Sequence, residues 1–191
     1  DPSGNITLTH EIIPEGNMPP WMPRIGLTMT LDSTLQQVDY YGRGPQENYS
    51  DRFDGVFLGT WQTSGRGMMV DYVYPQENGN RTDVRWISMT DFQGKGIQFL
   101  GVAPLSVSVW DTTQDELQKA MHIGEPKMLL DAYVINVDHA QTGVGGTDSW
   151  SQRARPSDQY RLLDKHYSYS FYIRPVKNAS DAVEAGRRLC R

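Results

Sequence analysis

The 191-residue chain carries 18 Lys and Arg against 23 Asp and Glu, a net charge of −5, which argues against a nucleic-acid partner because such proteins display a basic patch. With 38% hydrophobic residues, 18 glycines and 11 prolines, it is long enough for one sizeable core and reads as turn-rich rather than disordered. No apolar run approaches a membrane span, and the single Cys190 excludes an internal disulfide and a cysteine-built metal site.

The chain opens with Asp1-Pro2-Ser3-Gly4, in which no signal peptide is visible, so the compartment cannot be read. Asn5 to Ile13 alternates well enough for a half-buried strand. A turn region with three prolines follows, Glu15 to Pro23. Ile25 to Leu31 is the cleanest strand pattern, with Ile25, Leu27, Met29 and Leu31 on one face and Thr28 and Thr30 on the other. Further strands are predicted at Gln37 to Tyr41, Gly55 to Trp61, Met68 to Tyr74, Thr82 to Thr90, Gly96 to Gly101 and Leu105 to Trp110. Thr113 with Glu116 three residues on makes a capping box, which predicts one short internal helix ending before Gly124-Glu125-Pro126. Strand patterns resume at Met128 to Val137 and at Tyr167 to Ile173. Ser180 to Leu189 has a serine cap and helical composition but little apolar surface to dock. Nine or ten short strands and one internal helix predict an all-β, antiparallel sandwich. Pro-Gln-Glu-Asn occurs at 45–48 and again at 75–78. Nothing around the two copies matches, so they read as local turn chemistry or coincidence rather than a repeat.

The stretch from Asn136 to Ser151 stands apart. An apolar run feeds a turn with Gly143, Gly145 and Gly146, which then presents Asp148, Ser149 and Trp150. It is no phosphate loop, since neither Lys-Ser/Thr nor a helix start follows its glycines. A tryptophan after such a turn either packs back onto the core or is held out for a flat apolar partner. Glu47 and Glu77 form a candidate carboxylate pair of the kind glycoside hydrolysis needs, although turn carboxylates are commoner. His10, His122, His139 and His166 show no metal-ligand spacing, and His122 and His139 fit structural roles. Ser149 lacks the nucleophile elbow of a hydrolase serine. Trp21, Tyr49, Trp61, Trp86 and Trp150 on or near loops, with Asp, Asn and Arg nearby, suit a carbohydrate site, and they suit an ordinary sandwich core equally well.

Four motifs occur in order: Pro23-Arg24-Ile25-Gly26, then Gly42 to Arg52, then Tyr74-Pro75-Gln76-Glu77-Asn78-Gly79, and Gly143 to Trp150. The series resembles the C-terminal domain of the large bacterial β-galactosidases of glycoside hydrolase family 2, the part also called the small chain. That resemblance implies a galactose mutarotase-like super-sandwich over residues 1–179, incomplete on its N-terminal side, with 180–191 as a tail. Missing first strands would leave an open edge suited to pairing with a second copy, hence a homo-oligomer. It implies a role in hydrolysing terminal β-D-galactosyl residues, with no catalytic residue in this chain, because the family's two glutamates lie in a (β/α)-barrel upstream and 191 residues are too few for one. It implies that Trp150 contacts the substrate, with Asp148 and His139 as accompanying contacts. No metal or other cofactor is expected on this chain, the magnesium and sodium of the complete enzyme belonging mainly to its other domains. Partners are then the β-galactoside and those domains, in a bacterial cytoplasm or periplasm. Thr147 stands where the family commonly has an acidic residue. The competing readings are a free-standing carbohydrate-binding module and a mutarotase-like epimerase.

Overall fold

A computed structural model describes residues 4–126, 128–129, 131–146, 148, 151 and 154–189. Eight antiparallel strands are hydrogen-bonded into one sheet: β1 (Ile6–Ile12), β2 (Arg24–Asp32), β3 (Gln37–Gly44), β4 (Phe57–Ser64), β5 (Arg81–Thr90), β6 (Gly96–Trp110), β7 (Ala132–Gln141) and β8 (Tyr167–Val176). One path runs β1-β8-β6-β5-β3-β4, and a branch adds β7 and then β2 beside β6. The branching strand is β6. Its first half, Gly96–Gly101, pairs with β8, while Ser106–Trp110 pairs with β7 on the same flank. Changing neighbours midway folds the sheet over one shared core, the all-β sandwich that the alternation predicts.

The core follows from strand periodicity. Ile87, Met89, Phe99, Val107, Val109, Ile135, Val137 and Phe171 are buried together, and Leu27, Met29 and Leu31 of β2 pack against them. Each such side chain contributes about 1.5–3 kcal/mol by leaving water. The opposite face of β2 is polar where it meets its neighbours. Thr28 Oγ1 donates to Asn136 Oδ1 at 2.7 Å, and Asn136 Nδ2 donates to Ser108 Oγ at 2.9 Å. The fully buried Asn136 is thereby satisfied on both sides.

Several expectations need correction. Residues 69–74 form no strand: the chain makes a 3-10 turn at Arg66–Met68, and the Val70 amide is taken by the Asn78 side chain rather than by a ladder. The two patterns at 96–101 and 105–110 are one fifteen-residue strand. β7 starts at Ala132 rather than Met128 and runs on to Gln141, because pairing with β2 carries its ladder through Asp138 to Gln141. β4 is likewise displaced toward Ser64 by its register with β3. Of the aromatics placed on or near loops, Trp86 lies within β5, whereas Tyr49 is on the β3–β4 connection, and both are buried.

The predicted helix start is present: Thr113 is the N-cap, its Oγ1 accepting from the Glu116 amide at the start of α1 (Gln114–Lys119). The tail forms α2 (Ala179–Leu189), capped by Asn178 rather than Ser180, with Asn178 Oδ1 accepting from the Asp181 amide. It docks on the sheet despite its polar composition. Ala182 is buried, its carbonyl accepts from Gln98 Nε2, and Gly186 lies so close to Trp86 that a Cβ would fall 2.2 Å from the indole.

Candidate functional site

Three of the four motifs, with the glycine turn that opens the fourth, meet at one end of the sandwich. The two Pro-Gln-Glu-Asn segments have the same internal chemistry. Asn48 Nδ2 and Asn78 Nδ2 each donate to the glutamine carbonyl two residues back, at 2.9 Å in both. Their free oxygens are then spent differently. Asn48 Oδ1 accepts from the amide and hydroxyl of Thr82, whereas Asn78 Oδ1 accepts from Val70 N. The segments also bond to each other, Asn48 N to Asn80 O at 2.8 Å and Gly79 N to Glu47 Oε2 at 2.7 Å. Glu47 takes two more donors, Arg52 Nη2 and the Tyr72 hydroxyl. With its oxygens so engaged, Glu47 braces the two turns against each other.

Glu77 faces the other way, into a buried charged group. Arg24 Nη1 stands 3.7 Å from Glu77, and Arg24 Nε stands 3.7 Å from Asp138. The guanidinium lies over the Trp110 ring, 5.6 Å from its centroid, and Arg24 Nη2 donates to Gln114 Oε1 on α1. Gly26 explains the first motif. A Cβ there would fall 1.8 Å from Asp138 Oδ1 and 2.6 Å from its Cα, so only glycine leaves room for the carboxylate. Burial pushes the Asp138 carboxyl up to about 8, against the opposing pull of Arg24. Burial also raises Glu77, while Arg24 and a hydrogen bond from Gln141 work the other way.

The glycine-rich segment leaves β7 beside this group. Thr142 N donates to Pro23 O and Gly143 N to Tyr160 O at 2.7 Å. The Asp51 carboxylate then takes the next two amides, Val144 at 3.0 Å and Gly145 at 2.7 Å. A Cβ on Gly143 would fall 2.5 Å from Asp51 Oδ2, and one on Gly146 2.3 Å from the Ala154 backbone. The last residue but one of the second motif therefore clamps the start of the fourth.

Of the residues singled out from the sequence, Trp150 lies outside the described residues, as do Thr147 and Ser149. Asp148 accepts from both the amide and the hydroxyl of Ser151, which closes a local turn. His139 is half-buried on β7 with its ring 5.6 Å from Tyr169 and 6.3 Å from Tyr167. It lines a groove of about 290 Å³ with Arg43, Phe53, Asp83 and Gln141. Among the described residues no group of three or more His, Cys, Asp or Glu side chains is placed to hold a metal ion. Arg24, Asp51, Asp138 and Gln141 were not foreseen as a group. Arg24 and Asp51 were marked by lying in the first and second motifs, and Asp138 by being an acid directly after Val134-Ile135-Asn136-Val137.

Residues 1–173 match the family model described as "Beta galactosidase small chain". Among curated proteins, the chain is 32% identical over 174 residues to a β-galactosidase of Priestia megaterium, covering 91% of this chain and 16% of that protein. It is 35% identical to one from Halalkalibacterium halodurans, covering 92% and 17%, and 33% identical to one from Vibrio cholerae, covering 92% and 16%. The chain thus spans about one-sixth of the length of these relatives.

Proposed function

The chain belongs to the β-galactosidase small-chain family, and from that premise we propose that it is the C-terminal part of an enzyme hydrolysing terminal β-D-galactosyl residues. In this reading it supplies Trp150 as an aromatic wall for the sugar, with Asp148 and His139 nearby, while the two catalytic glutamates belong to the remainder of the enzyme. The same remainder holds the magnesium and sodium ions. The observation that carries the proposal is the Asp51 clamp: the segment that ends in Trp150 is tied at its start by two backbone amides and has no room for a side chain at Gly143 or Gly146. Such anchoring suits a residue whose position matters, since a misplacement of about 1 Å in a positioning group costs on the order of 10²-fold in rate. The role proposed for the indole is to stack on the C–H side of a galactosyl ring, excluding water and orienting the glycosidic bond toward a pair of carboxylates.

Trp150→Ala in the complete enzyme tests this. The expected outcome is a several-fold to tenfold rise in KM with circular dichroism and oligomeric state unchanged, about 1 kcal/mol of lost stacking. Unaltered kinetics would refute it. A second reading, an epimerase acting in the groove, draws on His139 and Asp83 lining one cavity. Asp83 is already engaged by Arg43 and Arg85. Polarimetry that finds no faster interconversion of galactose anomers ends that alternative.

A further inference from the structure

We infer that the face formed by the 70–75 segment with residues 121–126 and 128–129 is where the remainder of the enzyme docks; this rests on the chain being one part of a larger β-galactosidase. Large apolar side chains are gathered there in the open. Val73 is 76% exposed, Tyr74 54%, Met121 56%, Ile123 53% and Met128 60%. They come from two segments held against each other, Ile123 N donating to Val73 O at 3.0 Å and the Tyr74 hydroxyl to Met121 Sδ at 3.8 Å. Other exposed apolar residues, such as Phe57, Phe92 and Val102, sit on separate elements. Single exposed apolar residues are ordinary, whereas a contiguous group marks an interaction surface.

Three observations choose the occupant. The 69–74 segment is apolar enough to read as a strand, yet among the described residues it joins no strand ladder and turns Val73 and Tyr74 outward, so an outside body is the cover that fits them. The curated relatives are about six times longer than the matched region, which supplies a large body to provide that cover. The face also adjoins the proposed site. A cleft of about 150 Å³ beside Ile123 and Met128 shares Pro75 and Leu117 with a second of about 350 Å³, which Glu77, Trp110 and Gln114 line. A body seated across both clefts lies next to the Arg24–Glu77 group and the root of the glycine-rich segment. The first cleft asks for a hydrogen-bond donor from its occupant. Asp111 lines it, and among the described residues its buried Oδ2 has no hydrogen-bond partner, while Oδ1 is 3.6 Å from Arg66. An apolar surface bearing an amide, Lys or Arg donor fits that chemistry.

Methionine oxidation in the complete enzyme reads this directly. Dilute peroxide followed by peptide mass spectrometry gives a rate for each methionine, and the urea-unfolded enzyme sets the open limit. Met121 and Met128 are expected to oxidise at least about tenfold more slowly than in the unfolded enzyme, grouping with the buried Met68 and Met89. Rates within about threefold of the unfolded limit overturn the inference. So does protection that vanishes on dilution to a single copy, because a second copy is then the cover. The Trp150→Ala kinetics are independent of this result. Slow oxidation with unaltered Trp150→Ala kinetics keeps the docking face and rejects the aromatic wall, and the reverse pattern does the opposite.

Discussion

Removing the Asp51 carboxylate should loosen the glycine-rich segment without loosening the sandwich. Asp51→Ala takes away both acceptors, leaving the Val144 and Gly145 amides to water, while the bonds of Thr142 and Gly143 to Pro23 and Tyr160 remain. A hydrogen bond to a charged group contributes roughly 1.5–3 kcal/mol when buried. These two are at the surface, where water competes, so about 1 kcal/mol each is the better figure and about 2 kcal/mol for the pair. That corresponds to a roughly 30-fold faster local opening. Asp51→Asn keeps one carbonyl oxygen but turns an NH2 toward the second amide, so about half the effect is expected. Amide hydrogen exchange at Val144 and Gly145 measures it, with Ile87 and Phe99 in the core strands as references. Unchanged exchange in Asp51→Ala would refute the clamp. An equal acceleration at Ile87 and Phe99 would instead mean that Asp51 supports the whole fold.

Gly26→Ala should cost roughly 1–3 kcal/mol in a urea melt, because the new methyl meets Asp138 Oδ1 at 1.8 Å and the less yielding Asp138 Cα at 2.6 Å. Gly55→Ala, with nothing within 4 Å, should stay within about 0.5 kcal/mol, and equal losses at both sites would discredit the packing argument. The Asp138 carboxyl, raised by burial to about 8, holds its proton in the folded state over a range where the unfolded chain has lost it. Stability is therefore expected to fall as pH rises from about 4 to about 8 and to level off above. Asp138→Asn, which mimics the protonated acid, should match the parent near pH 4 and exceed it near pH 9, and parallel stability curves would contradict this. Tyr49 is buried, and among the described residues its hydroxyl has no hydrogen-bond partner, so Tyr49→Phe should be neutral or stabilising by up to about 1 kcal/mol. A loss larger than that in thermal melts would mean that the hydroxyl has a partner.

Strand existence was legible wherever one face is buried, because a two-residue period has a single physical meaning there. β2 shows it best: the residues read as inward, Leu27, Met29 and Leu31, pack on the core. The Thr113 cap was equally legible, being a contact between residues three apart. The 68–74 run misled because strand-like composition states that a segment is apolar, not that a neighbour stands ready to pair with it. The α2 tail misled in the opposite direction, since Ala182 and Gly186 dock by being small, which hydropathy does not register.

Sequence alone determined the all-β class, the family, and the four motifs with their order along the chain. Each of these is a matter of local pattern, of which residues follow one another and at what spacing. Tertiary structure alone decided why the motifs exist. Gly26 is matched to Asp138 and Asp51 to Val144 and Gly145, partners about a hundred residues apart that meet only because β2 pairs with β7 and the 45–52 turn folds beneath it. Charge burial belongs to the same class. The environment of Asp138 is created by strands from the whole chain, and no stretch of sequence contains it.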